Sequence, residues 1–239
     1  MSDALPPLFF FPSLSLAEGG IVVLGEEESR HALSSRRLSE GDPIALFDGL
    51  GTIAQGQVDS VGKPRHGVKV RVISKRLHKQ PSQIILASAV PKGDRMSVML
   101  DMATQLGMTQ FIPLNCERSV VKPSEKSHPR WSRICSEACK QSRRAWLPKL
   151  LDTMSPSALV DHFAGKGNVL IAHPSGIPIQ EAIIEYASIA RVVMIGPEGG
   201  FADDEVTTVT QQGGIAVSLG QSILRIETAA VTTLALLAG

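Results

Sequence analysis

The 239-residue chain is poor in aromatic side chains, with seven Phe, two Trp and one Tyr. Any contact with nucleic acid would therefore rest on cations and backbone groups more than on aromatic stacking platforms. Cysteine is scarce and odd in number: Cys116, Cys135 and Cys139. A chain of this length needs no disulfide staples, so the count argues for a reducing compartment. The longest apolar stretch, Ala229 to Ala238, is too short to span a bilayer and is interrupted by Thr232 and Thr233. The opening MSDALPPLFFFP lacks a basic start and is broken by prolines, unlike a secretory leader. Neither GxxxxGK[ST] nor GxGxxG occurs, which argues against a P-loop and a dinucleotide pyrophosphate site. The expectation is a cytoplasmic protein with no membrane span.

Net charge is also nearly absent, at +1. The total conceals a division. Residues 1–76 carry nine basic and nine acidic groups, 77–150 carry twelve and five, and 151–239 carry three and nine. A +7 block and a −6 block cancel, so neutrality does not exclude a polyanionic partner. What is present, 43% hydrophobic residues and 20% charged, is enough to build one large domain or two modest ones.

Residues 1–76 read as short β segments bounded by Gly, Pro and Asp: IVVLGEEE, DPIALFDG, GTIAQGQVDSV and GVKVRVISK. Asp48-Gly49 marks a hairpin, and one helix is expected over Glu27–Arg37. This is a small all-β module. From residue 77 to 239 strands alternate with helices, the pattern of α/β layering. Strands are expected at 84–90, 110–114, 168–173, 191–196 and 215–220, and helices at about 92–106, 125–145, 178–187, 203–212 and 226–238. In the second of these helices Trp131, Ile134, Cys135 and Ala138 form a buried stripe, and Arg130, Arg133, Lys140, Arg143 and Arg144 occupy much of the rest. That face is either simply solvated or turned toward phosphates. The stripe makes Cys135 and Cys139 core residues, so no metal is expected.

Three segments follow predicted strands: AHPSG (172–176), GPEGGFADDEV (196–206) and LGQSILRIETAA (219–230). In an α/β sheet such carboxyl-end loops form the ligand site. Gly199 and Gly200 permit close backbone approach, and Asp203, Asp204 and Glu205 suit a helix N-terminus while repelling phosphate. A cationic or neutral ligand with hydrogen-bonding edges fits better. Arg225 is either a salt-bridge partner of Glu227 or an anion clamp.

Taken together, IGPEGGFADDEV, LGQSILRIETAAVTTLAL, EACKQSRR, ERSVVK and RHALSSRRLSEGD resemble, in the same order and over essentially the whole chain, the RsmE family of ribosomal RNA uridine-N3 methyltransferases. The resemblance implies an α/β fold: a C-terminal trefoil-knotted SPOUT methyltransferase domain at 77–239, behind an N-terminal PUA-like β-barrel for RNA at 1–76. It implies S-adenosylmethionine as cofactor, a uridine N3 of 16S ribosomal RNA in the small subunit as acceptor, and a homodimer formed through the knot. A knot enzyme acting on a ribose 2′-hydroxyl or another base, and a non-catalytic RNA-binding assembly factor, stay open as alternatives.

Carried over by position, the methyl donor is assigned to Ala172, His173, Ile195, Gly196, Glu198, Gly199, Gly200, Leu219, Gly220, Ile223, Leu224 and Ala229, with Leu219, Ile223 and Leu224 around the adenine. Arg225 and Arg118 are candidates for polarising the base, and Glu198 for a polar contact to the cofactor or a proton acceptor. RNA contacts fall to His31, Arg37, Lys92, Arg95, Lys122, Arg130, Arg133, Lys140, Gln141, Arg143 and Arg144. Two positions depart from the family pattern. Ile226 stands where Thr is common, and Ala202 stands where a Ser or Thr would cap the helix and complete a box with Glu205.

Overall fold

A computed structural model describes residues 5–14, 18–62, 67–122, 124–185 and 190–238. Residues 1–4, where the leader was sought, and 186–187, the end of one expected helix, lie outside the described residues. The chain divides into two units, Met1–Gln80 with Cys139–Leu147, and Pro81–Ala138 with Pro148–Gly239.

The first unit is built on alternation. In β4 (Thr52–Val61) and β5 (Val68–Leu77) Ala54, Val58, Val68, Val70 and Val72 point inward and their neighbours outward, the period-2 pattern of a half-buried strand. With β1 (Leu8–Phe10), β2 (Ile21–Val23) and β3 (Pro43–Phe47) they form a five-stranded sheet in the order β1-β3-β4-β5-β2. Asp48 turns the expected hairpin between β3 and β4, its Oδ1 accepting the amides of Leu50 at 2.8 Å and Thr52 at 2.9 Å. Register shifts at Gln55/Gly56 and Val58/Ser60 bend the β4–β5 pair. The expected helix is short: α1 (Glu26–Arg30) runs into a π turn at His31–Ser35.

The segment Cys139–Leu147 belongs to this unit. Cys139 and Leu147 pack with Leu8, Ala45 and Phe47. The Trp146 indole donates to the Lys79 carbonyl at 3.2 Å and covers Gly51, which has φ +105° and where a Cβ would lie 2.5 Å from the ring. Lys140 Nζ lies 2.9 Å from Glu28 Oε1, with side-chain exposures of 6% and 16%.

The second unit is a six-stranded parallel sheet ordered β11-β9-β10-β6-β7-β8. Its strands are β6 (Gln83–Ser88), β7 (Gln110–Pro113), β8 (Lys149–Leu150), β9 (Asn168–Pro178), β10 (Ala190–Ile195) and β11 (Ile215–Ser218). Ile85, Leu86, Val192, Val193 and Met194 are wholly buried, as continuous apolar strands covered on both faces should be. The helices are α2 (Arg95–Gln105), α3 (His128–Ser142), α4 (Pro156–Phe163), α5 (Ile179–Glu185), α6 (Asp203–Gln211) and α7 (Ile226–Leu237). Trp131, Cys135 and Ala138 are buried on α3, Trp131 edge-on to Phe111 at 5.7 Å. All three cysteines are free and buried. Among the described residues no helix is long and apolar enough to cross a membrane.

Among the described residues of this unit, one helix and one strand were not expected. Helix α4 is nonetheless marked: Ser155 caps it, accepting the Ala158 amide at 3.3 Å, Pro156 opens it, and Leu159, Val160 and Phe163 face the core. Strand β8 has two residues and no periodicity to detect.

Removing one member of a buried pair leaves an uncompensated charge, which costs about 3–5 kcal/mol. Lys140→Ala should therefore lower stability by about 3 kcal/mol, read as a shifted urea midpoint, and replacing Glu28 with Leu as well should recover much of the loss.

Candidate active site

In the ladder between β9 and β11, Ile171 faces Ala216 but Val217 faces Ile177, so residues 172–176 bulge from the strand. The AHPSG segment expected to be a loop is this bulge, and its Gly176 runs so close to β11 that a Cβ would lie 2.3 Å from the Val217 nitrogen. His173 Nδ1 accepts the Ser175 amide at 3.3 Å and lies 2.8 Å from the Ser175 hydroxyl. After β10 the chain makes a turn closed by the Gly200 amide donating to the Pro197 carbonyl at 2.9 Å. Gly200 has φ +71°, a left-handed conformation that favours glycine. A Cβ on Gly196 would meet the Phe201 ring at 2.9 Å, so glycine there lets Phe201 turn into the core.

These segments and the 218–226 stretch enclose a cavity of about 410 Å³. It opens at the bulge of β9 and at the carboxyl ends of β10 and β11. All twelve residues assigned to the methyl donor from the motifs line it, from Ala172 and His173 through Ile195, Glu198 and the glycines to Leu224 and Ala229. Arg118, Pro197, Gln221 and Ser222 line it too, as do Pro174, Phe201, Asp203, Ser218 and Ile226, the last five not singled out as contacts.

The candidate catalytic residues are not equally placed. Glu198 sits on the lining, its Oε1 3.5 Å from Arg95 Nη2, and Arg95 Nε donates to the Lys92 carbonyl at 3.2 Å. Arg118 Nη1 donates to the carbonyls of Gly199 at 3.2 Å and Phe201 at 3.1 Å. Arg225 is exposed at the N-terminal cap of α7 and does not line the cavity. Its postulated pair with Glu227 does not form, and Glu227 Oε2 is buried without a hydrogen-bond partner.

The loss of a hydroxyl at Ala202 is met from one side. Glu205 Oε2 accepts the Ala202 amide at 2.9 Å, the half of a capping box that needs no side-chain cap. Its other oxygen, Oε1, accepts the Glu117 amide at 2.9 Å. Only the first contact had a signal in the sequence, the spacing of Glu205 from the helix start.

Cys116, at the edge of this turn, has its thiol pushed up to about 12 by burial, with the Glu205 charge adding to the effect and the Ser119 hydrogen bond and Lys122 opposing it. It is a neutral core thiol, not a nucleophile.

The proposed RNA contacts divide by exposure. Arg37, Lys92, Lys122, Arg130, Arg133 and Gln141 are exposed. Lys122 Nζ donates to Asn115 at 3.2 Å, and Arg130 lies 3.5 Å from Asp94 and 3.2 Å from Ser97. His31 is half-buried, edge-on to Phe9 at 5.5 Å. Two corrections follow. Lys140 is buried against Glu28, and Arg143, half-buried with φ +61°, donates to the Pro6 carbonyl, its guanidinium pKa lowered by desolvation. Both were placed on the polar face by helical spacing; Lys140 lies within α3 but on the side that meets Glu28, whereas Arg143 follows the end of α3 at Ser142 and leaves the helical path. Arg144 is half-buried.

Against known proteins, residues 78–238 match the model of an RNA methyltransferase domain and residues 24–66 that of an RNA methyltransferase PUA domain. The chain is 31% identical over 215 residues to the ribosomal RNA small subunit methyltransferase E of Bacillus subtilis, covering 85% of this chain and 84% of that protein. The corresponding Synechocystis protein is 33% identical, with coverages of 83% and 66%. The Neisseria gonorrhoeae ribosomal RNA small subunit methyltransferase E, solved bound to S-adenosyl methionine, superposes with a TM-score of 0.87 at 29% identity, covering 97% of this chain and 96% of that one.

A raised thiol pKa makes stability depend on pH. Between its ordinary 9.0 and about 12 the unfolded chain has released the Cys116 proton and the folded chain has not, so stability falls as pH rises through that window. Cys116→Ala should make the alkaline decline in urea midpoint shallower than in the wild-type protein.

Proposed function

Because the chain belongs to the ribosomal RNA small subunit methyltransferase E family, we propose that it methylates N3 of a uridine in 16S ribosomal RNA, with S-adenosylmethionine as donor. The observation that carries this reading is the cavity between the β9 bulge and the carboxyl ends of β10 and β11, into which two of the matched motifs, 195–206 and 219–230, and Arg118 all converge. Its volume of about 410 Å³ lies in the range of small-molecule sites.

The lining suits the donor chemically. Glu198 and Asp203 offer negative charge to a sulfonium and an ammonium, and Ile195, Leu219, Leu224 and Ala229 offer an apolar face to an adenine. When bound, S-adenosylmethionine supplies an activated methyl group on a positively charged sulfur. The protein's share is then to orient the partners in line and exclude water. Uridine N3 must lose its proton and leave charge on O2 and O4. Glu198, on the lining, is the proposed acceptor of that proton, and the exposed Arg225 guanidinium the proposed partner of the oxygens.

The exposed cations Lys92, Lys122, Arg130 and Arg133 are proposed to hold phosphates, with the 1–76 module, His31 and Arg37 included, as a second RNA contact. We propose a cytoplasmic homodimer joined through a knotted segment. Ile223, 94% exposed at the cavity rim, favours a second copy as its cover.

The decisive experiment is nucleoside mass spectrometry of 16S ribosomal RNA from a deletion strain. N3-methyluridine should disappear; its retention, with loss of a different methylated nucleoside, would transfer the acceptor to a ribose hydroxyl or another base. Calorimetric titration should show S-adenosylmethionine binding, whose absence would favour an assembly factor. Gly200→Val forces a β-branched residue to φ +71°. Such strain costs about 1–3 kcal/mol, so binding should weaken by roughly tenfold or more.

A further inference from the structure

Arg118 is tied to main chain in a way that a residue reserved for the acceptor would not be. One nitrogen, Nη1, donates to both the Gly199 and Phe201 carbonyls. Its aliphatic stem lies along Gly199, whose missing Cβ would stand 3.7 Å from the Arg118 Cβ and Cδ. The adjacent Glu117 amide donates to Glu205, and the Cys116–Ser119 turn is closed by Ser119 Oγ accepting the Cys116 amide at 3.1 Å. Three hydrogen bonds thus join two segments more than eighty residues apart in sequence.

Their effect is on peptide planes. The 199–200 peptide has its oxygen held by Arg118 and its amide by the Pro197 carbonyl. The 201–202 peptide has its oxygen held by Arg118 and its amide by Glu205 Oε2. Each plane is pinned at both poles, so neither can rotate without breaking a hydrogen bond. The peptide between them, Gly200–Phe201, lies on the cavity wall between these two fixed planes.

We infer that Arg118 and Glu205 are positioning residues that hold the 199–202 backbone in the geometry that binds the methyl donor. The inference rests on the reading of the cavity as the S-adenosylmethionine site. It moves Arg118 from the acceptor base to the cofactor wall and gives Glu205 a role beyond its helix.

The test is steady-state methyl transfer to small-subunit ribosomal RNA, with calorimetric titration of S-adenosylmethionine, on the full chain and four variants. Arg118→Met keeps the stem and removes the donors; it should raise the cofactor KM and Kd about tenfold and leave kcat within about twofold. Arg118→Lys should recover most of that loss, because an ammonium can donate to both carbonyls. Glu205→Gln has one acceptor oxygen for two amides and should also raise KM. The double variant Arg118→Met, Glu205→Gln should be no worse than the worse single, since both act on the same planes. Loss confined to kcat with cofactor Kd unchanged would overturn the inference and return Arg118 to the acceptor. Additive losses, or a lowered melting temperature with unaltered Kd, would overturn it as well. If the wild-type chain did not bind S-adenosylmethionine at all, the reading of the cavity itself would fail, an outcome separate from the others.

Discussion

The cavity depends on how the first turn of α6 satisfies its backbone amides. A helix leaves its first N–H groups without internal acceptors, and Ala202, at the cap, has no side-chain oxygen to offer them. Glu205 meets part of the need by reaching back to the Ala202 amide. Its second oxygen would otherwise face solvent, and it takes the Glu117 amide instead. Hydrogen bonds to a charged acceptor contribute about 1.5–3 kcal/mol each, more than most side-chain contacts. One carboxylate therefore caps a helix and fastens a distant turn, and that turn presents Arg118 to the carbonyls of Gly199 and Phe201. The same negative charge is felt by the Cys116 thiol beneath it.

Charge in this chain does two kinds of work, which a count by segment does not separate. The acidic block contributes Glu198 and Asp203 to the cavity lining. The basic block is only partly surface. Lys140 and Arg143 are drawn inward to Glu28 and to the Pro6 carbonyl, so part of the apparent phosphate-binding charge is structural. Arg95 is intermediate, pairing with Glu198 at the rim while half-buried. The cations that stay exposed, Lys92, Lys122, Arg130 and Arg133, are the ones a polyanion could reach.

What was legible in the sequence follows from how local each signal is. Alternation in β4 and β5, and the apolar run of β10, report burial residue by residue, and the structure follows them. The motif loops were legible as a set because strand ends and glycine positions are local, and they do meet around one cavity. Strand β8 was not legible because two residues carry no period. Helix α4 was signalled by Ser155-Pro156 and missed. Lys140 was misassigned because helical spacing gives a direction, whereas burial depends on what lies in that direction, here Glu28, 112 residues away. The bond from Glu205 to the Glu117 amide is equally non-local, spanning 88 residues, and nothing at either position announces it.

The bulge in β9 shows why the site sits at one end of the sheet. A parallel strand continuing in register beyond Ile171 would place residues 172–176 against β11 and close the space between them. The ladder instead stops at Ala216, five residues loop out, and pairing resumes at Val217 with Ile177. Resumption brings the chain back against β11, and Gly176 is required because any Cβ would strike the backbone of residues 216 and 217. Pairing on both sides of the gap holds the bulge open and fixed, so Ala172, His173 and Pro174 form a wall instead of a free loop. The opposite wall is held by the Arg118 and Glu205 bonds. Both walls are thus main-chain surfaces fixed by hydrogen bonding, suited to a ligand recognised by its edges, with few side chains committed to its charge.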